Sequence, residues 1–308
     1  LLARAGEEVT LLARGATQAA IRADGLTLTF KDETFTTRPA IADDPATIGP
    51  QDYVIVALKA PAAPGIVPAL RPLLGPHTAV VTAMNGLPWW YFHKLTGPFE
   101  DRVVESVDPG GVQWTGIGPT RAIGCVMWGG ASVASPGVIH YSGRDLTPLG
   151  EPDGSASPRV AALAAAFARA GLTSPVLPNI RDEIWMKLWG NLSFNPVSAL
   201  TGATLGGIHA DADQAMVVRR MMEEAQAIAE KLGVTFTMTL QDRVDAVKPL
   251  TRHKTSMLQD FETGRVPEID ALVAVVPELG RMVGVATPTI DVVLNLLRGR
   301  ARVLGIAS

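Results

Sequence analysis

The 308-residue chain has a single cysteine, Cys125, and no long apolar run. An internal disulfide is therefore excluded, which is consistent with a reducing compartment. No apolar segment approaches the roughly 18 residues that a membrane-spanning helix needs. No secretory signal pattern opens the chain either, because Arg4 interrupts the first apolar stretch. These absences predict a soluble, globular, cytoplasmic protein with no membrane partner.

An excess of positive charge is also lacking. The chain has 27 Lys and Arg residues against 30 Asp and Glu residues, so its formal net charge is -3, which argues against a nucleic-acid partner. Charged residues make up only 19% and hydrophobic residues 47%, which excludes a disordered chain and predicts a sizeable core, most simply in two domains. The histidines show no metal-ligand spacing, so we expect no metal site.

The first half of the chain alternates apolar runs with helical patterns. Residues 52–58 and 78–84 are continuous apolar runs, typical of strands buried on both faces, and 103–107 is a weaker one. A helical pattern over 64–74 lies between the first two runs, so the order predicts parallel βαβ units in a doubly wound, Rossmann-type sheet. Frequent glycines and β-branched residues over 116–150 predict further strands, which extend the sheet in antiparallel fashion.

The second half has apolar residues at helical spacing. We place the boundary near residue 178, after Pro175 and Pro178, which gives an α/β domain over 1–178 and an all-helical domain over 179–308. The predicted helices cover 180–194, 210–232, 254–261, 269–282 and 287–300, the last with Thr287 as N-cap and Pro288 in the first position.

The first residues look like the end of a helix. Gly6 follows an apolar stretch where a helix-terminating glycine is typical, and a strand-like run over 9–13 comes next. Because a helix would here begin near its own end, and the first residue is Leu1, we expect further sequence upstream.

Three polar side chains recur along the first predicted helix of the second half. Lys187, Asn191 and Asn195 are spaced by four residues, so they share one face of an otherwise largely apolar helix. An ammonium and two amides there are suited to hold a polar substrate and to protonate an oxygen on it. The alternative is a surface lysine with two capping or core asparagines. Pro196 predicts a helix end or bend at Asn195.

Other candidates follow the predicted strands, where ligands bind in doubly wound folds. Asn85 and Gly86 come directly after one strand, although Asn-Gly is also a common turn. Lys59 ends another strand. It either binds a phosphate or a carboxylate there or is a solvated lysine in a loop. Arg14 follows the run over 9–13, where an arginine suits the 2′-phosphate of NADP.

The remaining candidates lie in the helical half and around the aromatic residues. Ser256 either binds a carboxylate through its hydroxyl or is an ordinary helix serine. Glu268 either pairs with Lys187 or binds a ribose or amide group. Alternatively, Glu268 is a first-turn acid that complements the helix dipole. Cys125 lies in an apolar strand-like run, so we interpret it as a core residue rather than as a nucleophile. Trp89-Trp90 fits either a pocket wall or simple packing.

Five segments together resemble the ketopantoate reductase (2-dehydropantoate 2-reductase) family, in that family's order and over nearly the whole chain. They are "VTLLAR", "DYVIVALKA", "NGLPWWYF", "KLWGNLSFNPVSALT" and "SMLQDFETGRVPEID". The resemblance implies an NADPH-dependent reductase of a 2-oxoacid, ketopantoate, in pantothenate and coenzyme A biosynthesis. It implies a Rossmann domain and a helical domain with the substrate in the cleft between them.

The resemblance also implies roles for individual residues. Lys187 matches the catalytic proton donor. Substrate-binding roles fall to Asn191, Asn195, Ser256 and Asn85. Cofactor-binding roles fall to Arg14 at the 2′-phosphate, Lys59, Asn85, Ala131 through its backbone, and Glu268 at the nicotinamide end.

Two features depart from the family pattern. The Gly-rich G-x-G-x-x-G turn that binds the pyrophosphate is absent, and the family has it at a position upstream of Leu1. Leu205 stands near where a further polar substrate contact is expected. The alternatives are therefore a reductase of another bulky 2-oxoacid, or a non-catalytic dinucleotide-binding regulatory protein. The oligomeric state stays open, with a homodimer as one alternative.

Overall fold

A computed structural model describes residues 1–306 of the chain. Within that part, ten short strands occupy the first half. They are β1 (Thr10–Leu12), β2 (Leu26–Phe30), β3 (Glu33–Thr37), β4 (Ala40–Ala42), β5 (Tyr53–Val56), β6 (Ala79–Thr82), β7 (Ala122–Cys125), β8 (Gly129–Ser135), β9 (Val138–Gly143) and β10 (Leu149–Gly150). They form three sheets, in the orders β1-β4, β10-β7-β6-β5 and β3-β2-β9-β8.

Helices accompany the strands and make up most of the second half. They are α1 (Gly15–Asp24), α2 (Ala63–Leu70), α3 (Val112–Ile117), α4 (Pro158–Arg169), α5 (Ile180–Thr201), α6 (Leu205–Ala210), α7 (Ala212–Lys231), α8 (Leu240–Asp245), α9 (Ser256–Glu262), α10 (Val275–Val283) and α11 (Pro288–Val303). A π-helical turn over Asp270–Ala274 precedes α10. The predicted fold class, an α/β part followed by a helical part, is confirmed, and the boundary at residue 178 stays a prediction.

The parallel strands of the central sheet all end at the same edge of the sheet. β5, β6 and β7 run parallel, and β10 pairs with β7 in antiparallel fashion. Every residue of β6 is buried, as its continuous apolar run predicts. One face of the sheet packs against α4 and the other belongs to the larger core that includes α2 and α5. The segments that follow β5 and β6 contact the helical half, because the backbone N–H of Ala60 and the amide of Asn85 both donate to Glu268.

The predicted strands over 116–150 are present, but only two of them join the central sheet: β7 pairs in parallel with β6, and β10 alone extends the sheet in antiparallel fashion. β8 and β9 form an antiparallel hairpin with one irregularity in register, and β9 pairs in parallel with β2. The first residues form a helical turn closed by Gly6, whose φ of 89° needs glycine.

The weak strand predicted over 103–107 is wrong. This segment forms turns, and the backbone N–H groups of Glu105 and Ser106 both donate to the carboxylate of Glu278 on α10, at 2.8 Å each. Its backbone groups are therefore satisfied by a side chain rather than by a neighbouring strand.

The helix predicted over 210–232 is present as α7, which begins at Ala212 because the side chain of Asp211 accepts hydrogen bonds from the backbone N–H groups of Asp213 and Gln214. One helix prediction needs correction. α5 does not end or bend out of helix at Asn195, because it continues through Pro196 to Thr201. Residues on both sides of Pro196 are buried, so tertiary packing outweighs the local preference.

The start of α11 is where the sequence predicts it, with Pro288 in the first position. The Thr287 side chain makes no capping hydrogen bond, however. The carboxylate of Glu224 on α7 instead accepts from the backbone N–H groups of Thr289 and Ile290, at 2.8 and 3.0 Å. Capping from another helix cannot be detected from local sequence.

Candidate active site

The first turn of α5 lies directly on the central sheet. A β-carbon at Gly150 or Gly124 would lie within 2.9 Å of Ile180, so glycine at both positions allows this approach. The buried side chain of Arg181 donates to the backbone carbonyls of Tyr91, His93 and Pro152. These contacts fix the helix relative to the strand ends, and with it Lys187, about 10 Å further along the helix.

Lys187 lies half-buried at the end of the central sheet. Its ammonium donates a hydrogen bond to the backbone carbonyl of Met127, just after β7. Burial lowers the pKa of Lys187 to about 8, and the negative charge of Glu268 acts in the opposite direction. A lysine in this environment is still largely protonated at neutral pH, but it releases its proton more readily than an exposed lysine.

A cleft joins Lys187 to the loop that follows β6. Its lining includes Thr82, Met84, Asn85, Gly86, Trp89, Trp90, Cys125 and Lys187. Trp89 and Trp90 therefore border the cleft and also belong to the buried core, so both interpretations of the pair hold in part. The thiol of Cys125 is buried, which raises its pKa to about 12 and makes it a poor nucleophile.

Glu268 connects the ends of two strands to the helical half. One carboxylate oxygen accepts from the backbone N–H of Ala60, just after β5, and the other accepts from the amide of Asn85, just after β6, both at 3.1 Å. Glu268 is only 6% exposed. Its hydrogen bonds fix the orientation of Asn85 and place a negative charge close enough to Lys187 to oppose the fall in that lysine's pKa.

The loop after β6 also contacts the helical half through its backbone. Gly86 has a φ of 93°, and a β-carbon there would lie 2.5 Å from the carbonyl oxygen of Ala271. The same carbonyl accepts a hydrogen bond from the backbone N–H of Leu87 at 3.2 Å. Asn-Gly is therefore both a turn and the position of a close contact that requires glycine.

Lys59 lies at the end of β5 but does not point freely into solvent. Its ammonium pairs with the carboxylate of Asp260 on α9 at 2.5 Å and donates to the carbonyl of Val266 at 3.2 Å. Asp260 is buried and also pairs with Arg265 at 3.2 Å. The sequence analysis did not identify Asp260, because nothing in the local pattern indicates a partner two hundred residues earlier.

The other predicted substrate ligands, apart from Asn85, lie outside the lining of the cleft at Lys187. Asn191 and Asn195 follow it on the same helix at about 6 Å per step, with Asn191 half-buried and Asn195 buried. Ser256 is exposed in the first position of α9, a helix that packs against α5. Neither asparagine is part of the cleft lining next to Lys187. Their roles stay predictions.

Two predicted cofactor ligands lie in or next to the other two sheets. Arg14 is exposed directly after β1, where it precedes the first turn of α1, and its side chain makes no capping hydrogen bond. Ala131 is exposed in β8, opposite Tyr141 of β9. The structure does not bring either residue next to Lys187, and their roles also stay predictions.

A second side chain of α5 binds the segment that Lys187 contacts. Glu183, one turn before Lys187, accepts a hydrogen bond from the indole N–H of Trp128. The helix therefore holds the Met127–Trp128 segment at two successive turns. Sequence analysis missed both contacts, since a backbone carbonyl acceptor leaves no signal in the sequence and Glu183 lies 55 residues from Trp128.

Two other features are absent from residues 1–306. Among residues 1–306, no group of three or more His, Cys, Asp or Glu side chains is arranged to hold a metal ion. No helix in the same range is long and apolar enough to cross a membrane.

Two family models match the chain. "Ketopantoate reductase PanE/ApbA" matches residues 1–154, and "Ketopantoate reductase PanE/ApbA C terminal" matches residues 179–301. Among curated proteins, a 2-dehydropantoate 2-reductase of Mesorhizobium japonicum is 50% identical over 299 residues, covering 96% of this chain and 91% of the relative.

Solved structures show the same similarity. A 2-dehydropantoate 2-reductase from Geobacter metallireducens superposes with a TM-score of 0.84 at 28% identity, covering 97% of this chain and 93% of the relative. A D-mandelate dehydrogenase in a ternary structure with NADH and anilino(oxo)acetate has a TM-score of 0.81 at 19% identity, covering 99% of this chain and 94% of that one. At that identity the second similarity shows the fold alone.

Proposed function

The chain belongs to the ketopantoate reductase family, and on that premise we propose that it reduces ketopantoate to pantoate with NADPH. This reaction belongs to pantothenate and coenzyme A biosynthesis. The observation that carries the proposal is the half-buried ammonium of Lys187, in the same cleft as the loop after β6.

Lys187 is the proton donor in this proposal. When bound, NADPH supplies the hydride that attacks the keto carbon. Negative charge then develops on the keto oxygen, and a positioned ammonium stabilises that charge before it transfers a proton. The lowered pKa of Lys187, about 8, brings the proton affinity of the donor closer to the working pH, which favours transfer.

The substrate lies along α5 in this proposal. Asn191 and Asn195 offer amide donors and acceptors on the face of the helix that bears Lys187, and the exposed hydroxyl of Ser256 lies on the neighbouring α9. Neutral groups of this kind suit a hydroxylated 2-oxoacid. The exposed position of Ser256 is compatible with access by a ligand from solvent.

The residues present also suit the cofactor. Asn85 and Glu268 form a hydrogen-bonded pair at the end of β6, where an amide or ribose hydroxyl can be bound. Arg14 is exposed and offers a bidentate partner for a 2′-phosphate. We also assign a role in binding this cofactor to Lys59 and to the backbone of Ala131.

A reductase of another bulky 2-oxoacid is the second candidate. Leu205, in the first position of α6, stands near where a polar substrate contact is expected, and an apolar side chain there favours a less polar substrate. The same catalytic residues serve both candidates. A non-catalytic dinucleotide-binding protein is the third candidate.

The test is NADPH oxidation followed by the loss of nicotinamide absorbance. It uses the full-length protein, as its gene encodes it. Ketopantoate is compared with pyruvate, 2-oxoisovalerate and phenylglyoxylate. Preference for ketopantoate supports the proposal, and preference for another acid supports the second candidate. Tight NADPH binding without oxidation of any of them supports a non-catalytic protein.

A further inference from the structure

Three large apolar side chains lie exposed in a row along α11. Val292, Leu296 and Val303 are 60%, 58% and 87% exposed, and Gly299 lies between the last two. Exposed apolar side chains that lie together, rather than scattered singly, mark an interaction surface. The opposite side of α11 packs against α5 and α7, so these four residues, here called the α11 seam, lie outside the core.

The spacing of the α11 seam is that of a contact between two helices. Its four residues are separated by four, three and four positions, which is the alternation of a heptad repeat. Such a seam is narrower than the apolar side of a helix that packs into a core. It fits a second helix that runs alongside at a small crossing angle. The α11 seam therefore predicts that another helix packs against it lengthwise.

The α11 seam is complementary to itself when two copies of the helix run antiparallel. With a twofold axis at the middle of the seam, Leu296 of each copy lies opposite Gly299 of the other. Val292 of each copy then lies opposite Val303 of the other. A β-carbon at Gly299 would lie 3.9 Å from Nη2 of Arg302 and would contact no other described side chain, so this position is open. The largest seam residue therefore faces the smallest, as a knob faces a hole.

Charges beside the α11 seam match the same arrangement. Asp291 lies in the first turn of α11 and Arg302 in the last turn, and both are exposed on the same flank of the seam. In the antiparallel pair, Arg302 of one copy lies level with the space between Asp291 and Asn295 of the other, within reach of its long side chain. A parallel pair would instead bring the two basic ends of the helices together. The charges therefore select the antiparallel pair.

We propose that two copies of this chain form a dimer through antiparallel packing of their α11 seams. A second copy is the occupant because the seam and its flanking charges complement the same surface turned by a twofold axis. The inference goes beyond the proposed function and does not depend on it. A single pair of helices is smaller than a standard interface of roughly 1,200 to 2,000 Å², so we expect a dimer that dissociates on dilution.

Sedimentation equilibrium of the full-length protein tests the proposal. We expect the wild type to pass from monomer to dimer between roughly 1 and 100 µM, the range of a micromolar Kd. Leu296→Asp should raise that Kd at least roughly 100-fold, because a carboxylate would lie in an apolar contact. Val112→Asp, at an exposed apolar position of α3, is the control and should dimerise like the wild type. A wild type that stays monomeric over this range, or a dimer that persists in Leu296→Asp, overturns the proposal.

A second variant separates association from folding. Gly299→Glu should keep or raise the melting temperature of the monomer, measured well below the Kd of the wild type, because glutamate forms helix better than glycine and the position is open. In the dimer its side chain would occupy the space of Leu296 of the other copy. We therefore expect the Kd for dimerisation to rise at least roughly tenfold. An unchanged Kd overturns the proposal.

An exchange of charges tests the direction of the two helices. Asp291→Arg places like charges beside each other at both ends of the antiparallel pair, so we expect a roughly tenfold rise in the Kd at low ionic strength. The double variant Asp291→Arg/Arg302→Asp restores opposite charges and should return the Kd to within about threefold of the wild type. A double variant that dimerises no better than Asp291→Arg alone overturns the antiparallel arrangement.

Discussion

The ammonium of Lys187 donates to the backbone carbonyl of Met127, sixty residues earlier in the chain. This bond joins the first long helix of the helical half to the end of the central sheet. It also means that the ammonium, which we propose as the proton donor, is held by a neutral group. A keto oxygen that becomes negatively charged is a stronger acceptor than an amide carbonyl, so the ammonium can exchange one for the other.

Removing this ammonium tests its role. We expect Lys187→Ala to lower kcat about 100- to 10,000-fold, because the variant has no group to stabilise and protonate the keto oxygen. The dissociation constant for NADPH, measured by fluorescence titration, is expected to change little. Lys248→Ala, at an exposed position, is the control. Near-normal turnover in Lys187→Ala would refute the proton-donor role.

The activity is expected to fall at alkaline pH. Burial lowers the pKa of Lys187 to about 8, so the ammonium is lost as the pH rises through that value. The logarithm of kcat/KM should then decrease by about one per pH unit above the pKa, because this parameter reports groups of the free enzyme. The measurement is a pH profile from 6 to 10. A flat profile over that range contradicts the assignment.

Glu268→Gln should move this profile. The negative charge of Glu268 raises the pKa of Lys187, so its removal lowers that pKa and shifts the alkaline fall in kcat/KM to lower pH. Glutamine can still accept from one of the two donors, Ala60 and Asn85. Glu262→Gln on the exposed side of α9 is the control. A profile that stays in place, or moves to higher pH, would show that the charge of Glu268 does not act on Lys187.

Arg14 is expected to determine the choice of cofactor. Arg14→Asp replaces a partner for the 2′-phosphate with a group that repels it and that can accept from a 2′-hydroxyl. We expect the ratio of kcat/KM for NADPH to that for NADH to fall by about 100-fold, with Arg22→Asp in the last turn of α1 as control. An unchanged ratio would remove Arg14 from the 2′-phosphate site.

Glu278 is expected to contribute stability rather than catalysis. Its carboxylate accepts from the backbone N–H groups of Glu105 and Ser106, so Glu278→Ala leaves both donors without this partner. We expect a loss of about 2 kcal/mol in the free energy of unfolding, measured by urea titration. Glu278→Gln keeps one acceptor oxygen and should lose less. Equal stability of all three proteins would contradict this account.

The sequence predicts the elements of this fold better than the contacts between them. Residues 52–58 and 78–84 predict β5 and β6 because apolar runs reflect burial on both faces. The run over 103–107 has a similar composition but forms turns, since its backbone donors find Glu278 instead of a strand. α1 was missed because an alanine-rich segment with few apolar residues has little helical periodicity.

In the candidate site, too, the sequence predicts local patterns better than contacts between distant residues. The spacing of Lys187 and Asn191 indicates a shared helix face, which depends only on local geometry. The pairing of Asn85 with Glu268 spans 183 residues, so only the folded chain reveals it. The Met127 carbonyl leaves no signal in the sequence either, because every residue has a carbonyl.

The contact of Gly86 with Ala271 has a consequence for how this chain tolerates mutation. Any side chain at position 86 would enter the space of a backbone carbonyl, which cannot be relieved by replacing a neighbouring side chain. Substitution at Ala271, by contrast, leaves its carbonyl in place for Leu87. A deep mutational scan should therefore find Gly86 as intolerant as Lys187, with alanine at position 86 rescued by no second-site change at position 271.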